Sequence, residues 1–172
     1  MNYNLNIHHR KSIRLKGYDY AQAGLYFITI CCQNRANLFG HIENGKMILN
    51  DAGIMVENEW LKLPERYKNI QLHEYVVMPN HFHAILEINT QNENITVGAT
   101  KNKTVGDMVG AFQSIVTVKY IHGVKQNNWE RFDGKLWQRN YFEHIIRNDK
   151  AYQQISEYII NNPQNWDNDN LK

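Results

Sequence analysis

Between Tyr75 and Ile88 the chain reads Tyr-Val-Val-Met-Pro-Asn-His-Phe-His-Ala-Ile-Leu-Glu-Ile, and no other stretch restricts the fold as strongly. Pro79-Asn80 interrupts the run and divides it into two strands. Side chains of a strand alternate with period two, so His81 and His83 project from one face. Phe82, Ala84, Leu86 and Ile88 fill the other face with apolar groups and must cover a core. Two imidazoles held side by side on such a strand are half of a metal site.

The remaining elements follow from periodicity and punctuation. Gly24 to Gln33 is a buried strand, and Leu38 to Leu49 is a hairpin turning at Asn44-Gly45. Asn50 or Asp51 caps a helix running to about Leu63, with Pro64 as the stop. Ile70 to Met78 and His81 to Ile88 are the next strands. Thr104 to about His122 is an amphipathic helix ended by Gly123. Leu136 to Ile146 is an aromatic-rich strand, and Asn148 or Asp149 caps a last helix ending near Asn162, before Pro163. Strand, helix, strand, strand, helix, strand is the α+β, ferredoxin-like βαββαβ order. It predicts an antiparallel sheet with helices on one face, plus an extra hairpin and a C-terminal helix.

Residues 1–19 are expected to be a basic arm, 20–166 a single domain and 167–172 a polar tail. A length of 172 residues suits one domain, and 42% apolar residues suit a packed core. Net charge is only +2, yet residues 1–20 set Arg10, Lys11, Arg14 and Lys16 against Asp19 alone. Residues 101–150 set nine basic groups against five acidic ones, which suits a local surface for a polyanion. Cys31 and Cys32 are adjacent and point to opposite faces of a strand, so they are expected to be free thiols. No apolar run reaches the ~18 residues of a membrane span, and no signal-peptide core opens the chain, so a cytoplasmic protein without a membrane partner is expected.

The last helix adds what the histidines lack. Ile155, Tyr158, Ile159 and Asn162 fall on one face, with Tyr158 one turn before Asn162. Leaning that face on the histidine strand brings a phenol and an amide oxygen towards two imidazoles. Such a mixed N/O shell suits Mg²⁺ or Mn²⁺ and leaves room for a phosphate oxygen. A tyrosine beside that ion could attack a phosphodiester, because a covalent intermediate keeps the diester energy for resealing.

Three blocks resemble the HUH single-tyrosine transposases, and among these the REP-associated tyrosine transposases. They are Val76-Val77-Met78-Pro79-Asn80-His81-Phe82-His83, Leu136-Trp137-Gln138-Arg139-Asn140-Tyr141-Phe142-Glu143-His144-Ile145-Ile146-Arg147-Asn148, and Tyr158-Ile159-Ile160-Asn161-Asn162-Pro163. The resemblance implies His81 and His83 as metal ligands and Tyr158 as the nucleophile that forms a 5′-phosphotyrosine and frees a 3′-hydroxyl. It places Asn162 where related insertion-sequence enzymes carry a glutamine ligand. It also implies single-stranded DNA with a hairpin as partner, association with the nucleoid when bound, and a monomer in preference to a homodimer.

Arg10, Lys11, Arg14, Lys119, Arg139 and Arg147 are the candidate phosphate contacts, and Trp137, Tyr141 and Phe142 could stack bases. Two other readings of the residues stand beside the transposase. A non-catalytic module binding single-stranded DNA or an RNA hairpin would keep the same fold. A zinc-dependent hydrolase would need a third His, Cys or carboxylate, for which Glu87 and His73 are the candidates. Tyr141 and Tyr152 are the rival nucleophiles.

Overall fold

A computed structural model of the chain describes residues 17, 19–89 and 103–172. The expected arm lies almost wholly outside the described residues, as does most of the polar stretch after Ile88. Six strands and four helices are present among them: β1 (Gly24–Cys31), β2 (Gly40–Glu43), β3 (Lys46–Leu49), α1 (Asp51–Leu61), α2 (Leu63–Arg66), β4 (Ile70–Val77), β5 (His81–Ile88), α3 (Val105–Gln126), β6 (Phe142–Ile146) and α4 (Asp149–Asn161). Short 3₁₀ turns follow β1 and α4.

The main sheet is antiparallel in the order β4-β5-β1-β6, and β2 pairs with β3 in a separate hairpin. This is the ferredoxin-like arrangement that the element order implies. In β1–β5 pairing, Cys31 stands opposite His81 and Thr29 opposite His83. The hairpin turns through Asn44 and Gly45, both with positive φ (51° and 71°), which is why Asn-Gly suits it.

β5 divides two packing layers between its odd and even positions. Phe82, Ala84, Leu86 and Ile88 join the large core under α1 and α3. There Trp60 meets Phe82 edge-on at 4.9 Å and Phe112 at 5.4 Å between ring centroids. Ile85 joins a smaller cluster with Phe27, Ile146 and Ile159 beneath α4. Helices α1 and α3 therefore share one face, and the C-terminal α4 covers part of the other.

Local chemistry sets the helix ends. Asn50 caps α1 by accepting from the Gly53 N–H at 2.9 Å, and Asn148 caps α4 by accepting from the Ala151 N–H at 2.8 Å. Pro64 sits in the first turn of the short α2, where its missing N–H costs nothing, so it opens a helix as well as following one. Thr104 and Asp107 form a capping box at the start of α3.

Two expectations change here. Gly123 does not end α3, which continues to Gln126. A Cβ at Gly123 would lie 2.2 Å from Trp129 Cε3, so this glycine serves a close approach of helix and indole. Residues 136–141 are not part of a strand: Trp137 makes one isolated antiparallel bridge to Cys32, and regular pairing with β1 starts only at Phe142. They are tied instead by Gln33 N–H to the Leu136 carbonyl (2.9 Å) and Gln138 N–H to the Cys31 carbonyl (2.9 Å).

Candidate active site

His81 and His83 leave β5 on the α4 face, and both are almost fully buried. Each ring is oriented by one neighbour. Asn80 Nδ2 donates to the carbonyls of Leu171 (2.9 Å) and Arg35 (3.3 Å), which fixes its amide so that Oδ1 faces His81 Nδ1 at 2.7 Å. An amide oxygen only accepts, so His81 Nδ1 carries the proton and Nε2 keeps its lone pair. His83 Nδ1 lies 2.8 Å from Thr29 Oγ1, and its Nε2 lies 3.2 Å from the Tyr158 hydroxyl. Outer partners of this kind are what metal-binding histidines use to aim a ligand nitrogen.

Burial keeps both imidazoles neutral. It drives His81 down to about 4, against the opposing pull of Asp169, and holds His83 well below its ordinary value, with His81 adding to the effect. A neutral imidazole is the form that binds a metal or accepts a proton. Tyr158 is half-exposed, and burial together with the Asp169 carboxylate raises its phenol, while Asn162 acts in the opposite sense. The phenol is thus no spontaneous nucleophile and needs a proton acceptor beside it.

The fourth contributor is Asp169. Its Oδ2 lies 3.6 Å from His81 Nε2, with the side chain 5% exposed. Ligating atoms of His81, His83 and Asp169 all fall within 4.8 Å of one another. Residues 167–172, expected as a polar tail, fold back over the site: Trp166 stacks on His81 at 6.0 Å, and Leu171 accepts from Asn80. Asp169 is the residue that sequence reasoning missed. It belongs to no helix or strand, so no periodicity marks it, and Trp166 beyond Pro163 was the one hint of a buried anchor there.

Three buried polar atoms converge without a hydrogen-bond partner among the described residues: His81 Nε2, Asn162 Oδ1 and Asp169 Oδ2. Orphaned groups of this kind are costly unless something else satisfies them. Two imidazole nitrogens, a carboxylate and an amide oxygen form a donor set that fits a divalent cation. Phe27, Thr29, His83, Phe142, Tyr158 and Asn162 line the adjoining cleft of about 490 Å³ together with Asn165 and the stretch from Asn168 to Leu171.

Other candidates lie elsewhere. Lys119 projects from α3, on the far layer, and its ammonium is 2.5 Å from the buried Glu59 carboxylate. Arg139 and Arg147 are exposed, and Arg147 lines a second cleft along β6. Arg10, Lys11 and Arg14 lie outside the described residues. His73 and Glu87 pair with each other at 2.8 Å, apart from the ligand group. Tyr152 bonds Glu74 and Tyr141 bonds Glu143, so neither rival phenol meets the histidine pair. Trp137 is core, whereas Phe142 is half-exposed beside Phe27.

No family model matches the chain. Over 180 residues it is 46% identical to an uncharacterized protein of Haemophilus influenzae, spanning 98% of this chain and 96% of that one, and the two belong to one family. A second Haemophilus influenzae protein, provisionally named a REP-associated tyrosine transposase, is 25% identical across 84% of this chain and 73% of its own. A solved structure of a REP-associated tyrosine transposase bound to a REP hairpin matches with a TM-score of 0.59. That match covers 88% of this chain and 73% of the other at 20% identity, and it shows a shared fold. The chain resembles the REP-associated tyrosine transposases in sequence and in fold. No helix among the described residues is long and apolar enough to cross a membrane.

Proposed function

We propose that this protein is a DNA-nicking and strand-joining enzyme that acts on single-stranded DNA near hairpins through Tyr158. One observation carries the reading: the Tyr158 hydroxyl sits 3.2 Å from His83 Nε2 in the same chain, beside three unpartnered ligand atoms. The hairpin partner is carried over from the solved relative, whose bound ligand is a REP hairpin.

In this mechanism the scissile phosphate enters the cleft between Phe142 and Asp169. Tyr158 Oη attacks phosphorus, forming a phosphotyrosine at the 5′ side, and the bond to the departing 3′-oxygen breaks. That oxygen leaves as a hydroxyl once protonated, and resealing runs the same exchange backwards. The phenol must lose its proton, and the atom in reach is His83 Nε2. That lone pair can take the proton or ligate a cation, but not both at once. If it held a cation instead, the half-exposed hydroxyl could release its proton to solvent. Mg²⁺ or Mn²⁺, held by His81, His83, Asp169 and Asn162, would supply neutralising charge at the phosphate. The approach of His83 and Tyr158 within one chain supports a monomer as the acting unit.

The test is a labelled hairpin oligonucleotide incubated with Mg²⁺ or Mn²⁺. A covalent protein–DNA adduct that disappears in Tyr158→Phe is the expected result. Binding with no adduct under either metal would leave only a binding module. Asp169 also favours a second reading, because two histidines and a carboxylate are a catalytic zinc set. Activity that survives Tyr158→Phe but ends on zinc removal would establish that hydrolase instead.

A further inference from the structure

Strand β4 carries an irregularity with a consequence for α4. Leu72 pairs with Leu86 and Tyr75 with Ala84, so His73 and Glu74 together stand opposite the single residue Ile85. A bulge of this kind places an extra residue in one strand and re-aims its side chains. Without it, alternation would send His73 and Glu74 to opposite faces. With it, both reach α4. Tyr152 Oη donates to Glu74 Oε2 at 3.0 Å, and Ser156 Oγ donates to the same oxygen at 3.1 Å. His73 Nδ1 lies 3.1 Å from Tyr152 Oη, and His73 Nε2 lies 2.8 Å from Glu87 Oε2.

Apolar packing alone holds α4 loosely. Only Ser156 and Ile159 of its thirteen residues are buried. Ala151, Tyr152 and Ile155 add partly buried contacts to the small cluster around Ile159, but dispersion and burial are not directional, so they restrain roll and slide weakly. Two hydroxyl bonds converging on one carboxylate oxygen fix both rotation and axial position. Ser156 stands two residues before Tyr158, so the pose of the phenol over His83 depends on that anchor.

We propose that Glu74, aimed by the β4 bulge, is a positioning residue that sets the tyrosine helix over the histidine pair. The proposal rests on reading Tyr158 as the nucleophile. Glu74→Ala in the full chain is expected to slow adduct formation at saturating hairpin DNA by about 10- to 100-fold, as misplacement of a reacting group does. The DNA concentration for half-maximal rate is expected to stay within about twofold, because Glu74 faces the hydroxyls of α4 and does not line the cleft beside Tyr158. Glu74→Gln keeps an oxygen that accepts from both hydroxyls, and is expected to restore most of the rate. Hydrogen exchange in Glu74→Ala quickens in α4 amides and not in α1 or α3.

An unchanged rate in Glu74→Ala, or a loss shared equally with DNA affinity, overturns the proposal. If Glu74→Ala does not fold, Ser156→Ala and Tyr152→Phe each remove one bond to the carboxylate. A several-fold fall in rate at unchanged DNA affinity supports the anchor, and unaffected rates in both overturn it. If the wild-type chain makes no adduct, the functional reading fails, and the anchor is judged on exchange alone. Exchange in α4 unchanged by Glu74→Ala then overturns it.

Discussion

The two faces of the main sheet are built on opposite principles. Under α1 and α3, Trp60, Phe82 and Phe112 interlock without exposure, and the layer is held by volume and apolar contact. Under α4, the apolar cluster is small and His81, His83, Asn162 and Asp169 bury polar atoms, three of them without a hydrogen-bond partner among the described residues. One strand, β5, supplies both faces from alternate residues. The lesson is that stability and chemistry here are separable by parity along a single strand, and each can be perturbed while the other is watched.

The sharpest break of that contrast is Tyr158→Phe. Its hydroxyl meets His83 and lies beside Asn162, and the ring is half-exposed, so folding is expected to change little. Adduct formation should fall by about 10³-fold or more, as for other deleted nucleophiles, read by retention of labelled DNA on a denaturing gel. The mirror experiment is Trp60→Ala on the apolar face. A fully buried indole lost there is expected to cost about 3–5 kcal/mol, seen as a lower urea midpoint. Adduct chemistry per folded molecule should persist, and a comparable loss of both would end the separation.

Cation binding should act on the α4 face alone. Mn²⁺ at about 100 times its dissociation constant is expected to stabilise the wild-type chain by about 2.7 kcal/mol. Asp169→Ala should lose most of that gain without altering the metal-free unfolding midpoint by comparable amounts. Equal stabilisation of both proteins by Mn²⁺ would remove Asp169 from the ligand set.

Acid should then expose the two faces one after the other, in the presence of a chelator. Burial holds folded His81 at about 4 against an ordinary 6.5. Between these values the unfolded chain binds the extra proton, so stability falls as pH drops through that window. Glu59 behaves differently: burial pushes its carboxyl up, but Arg66, Lys119 and Lys62 outweigh that and hold it at about 2 against 4.5. Its contribution is complete above pH 4.5 and is lost as pH falls towards 2. Each group contributes a slope of up to about 1.4 kcal/mol per pH unit. Thermal midpoints measured from pH 7 to 2.5 should show the upper window shrink in His81→Phe, leaving the part that buried His83 contributes, and the lower one shrink in Glu59→Gln. A single acid transition untouched by either change would contradict the assignment.

Much of this was legible beforehand because local rules acted alone. The bounds of β5, the Asn44-Gly45 turn and the caps at Asn50 and Asn148 depend on alternation, φ preference and short-range hydrogen bonds. Tyr158 was legible from its helical spacing to Asn162 and from the family blocks, and it does meet His83. Gly123 misled because a glycine that ends a helix and one that admits an indole look alike in sequence.

By itself, then, the amino-acid sequence determined the order of elements, the face that His81 and His83 share, and the helix that carries Tyr158. Those follow from periodicities of a few residues. Only the tertiary structure decided that Asp169 closes the site from an irregular segment, that Asn80 and Thr29 orient the two rings, and that a bulge turns Glu74 towards the tyrosine helix. Each of these depends on contacts between residues distant in the chain or on a break in register, and neither leaves a periodic trace in the sequence.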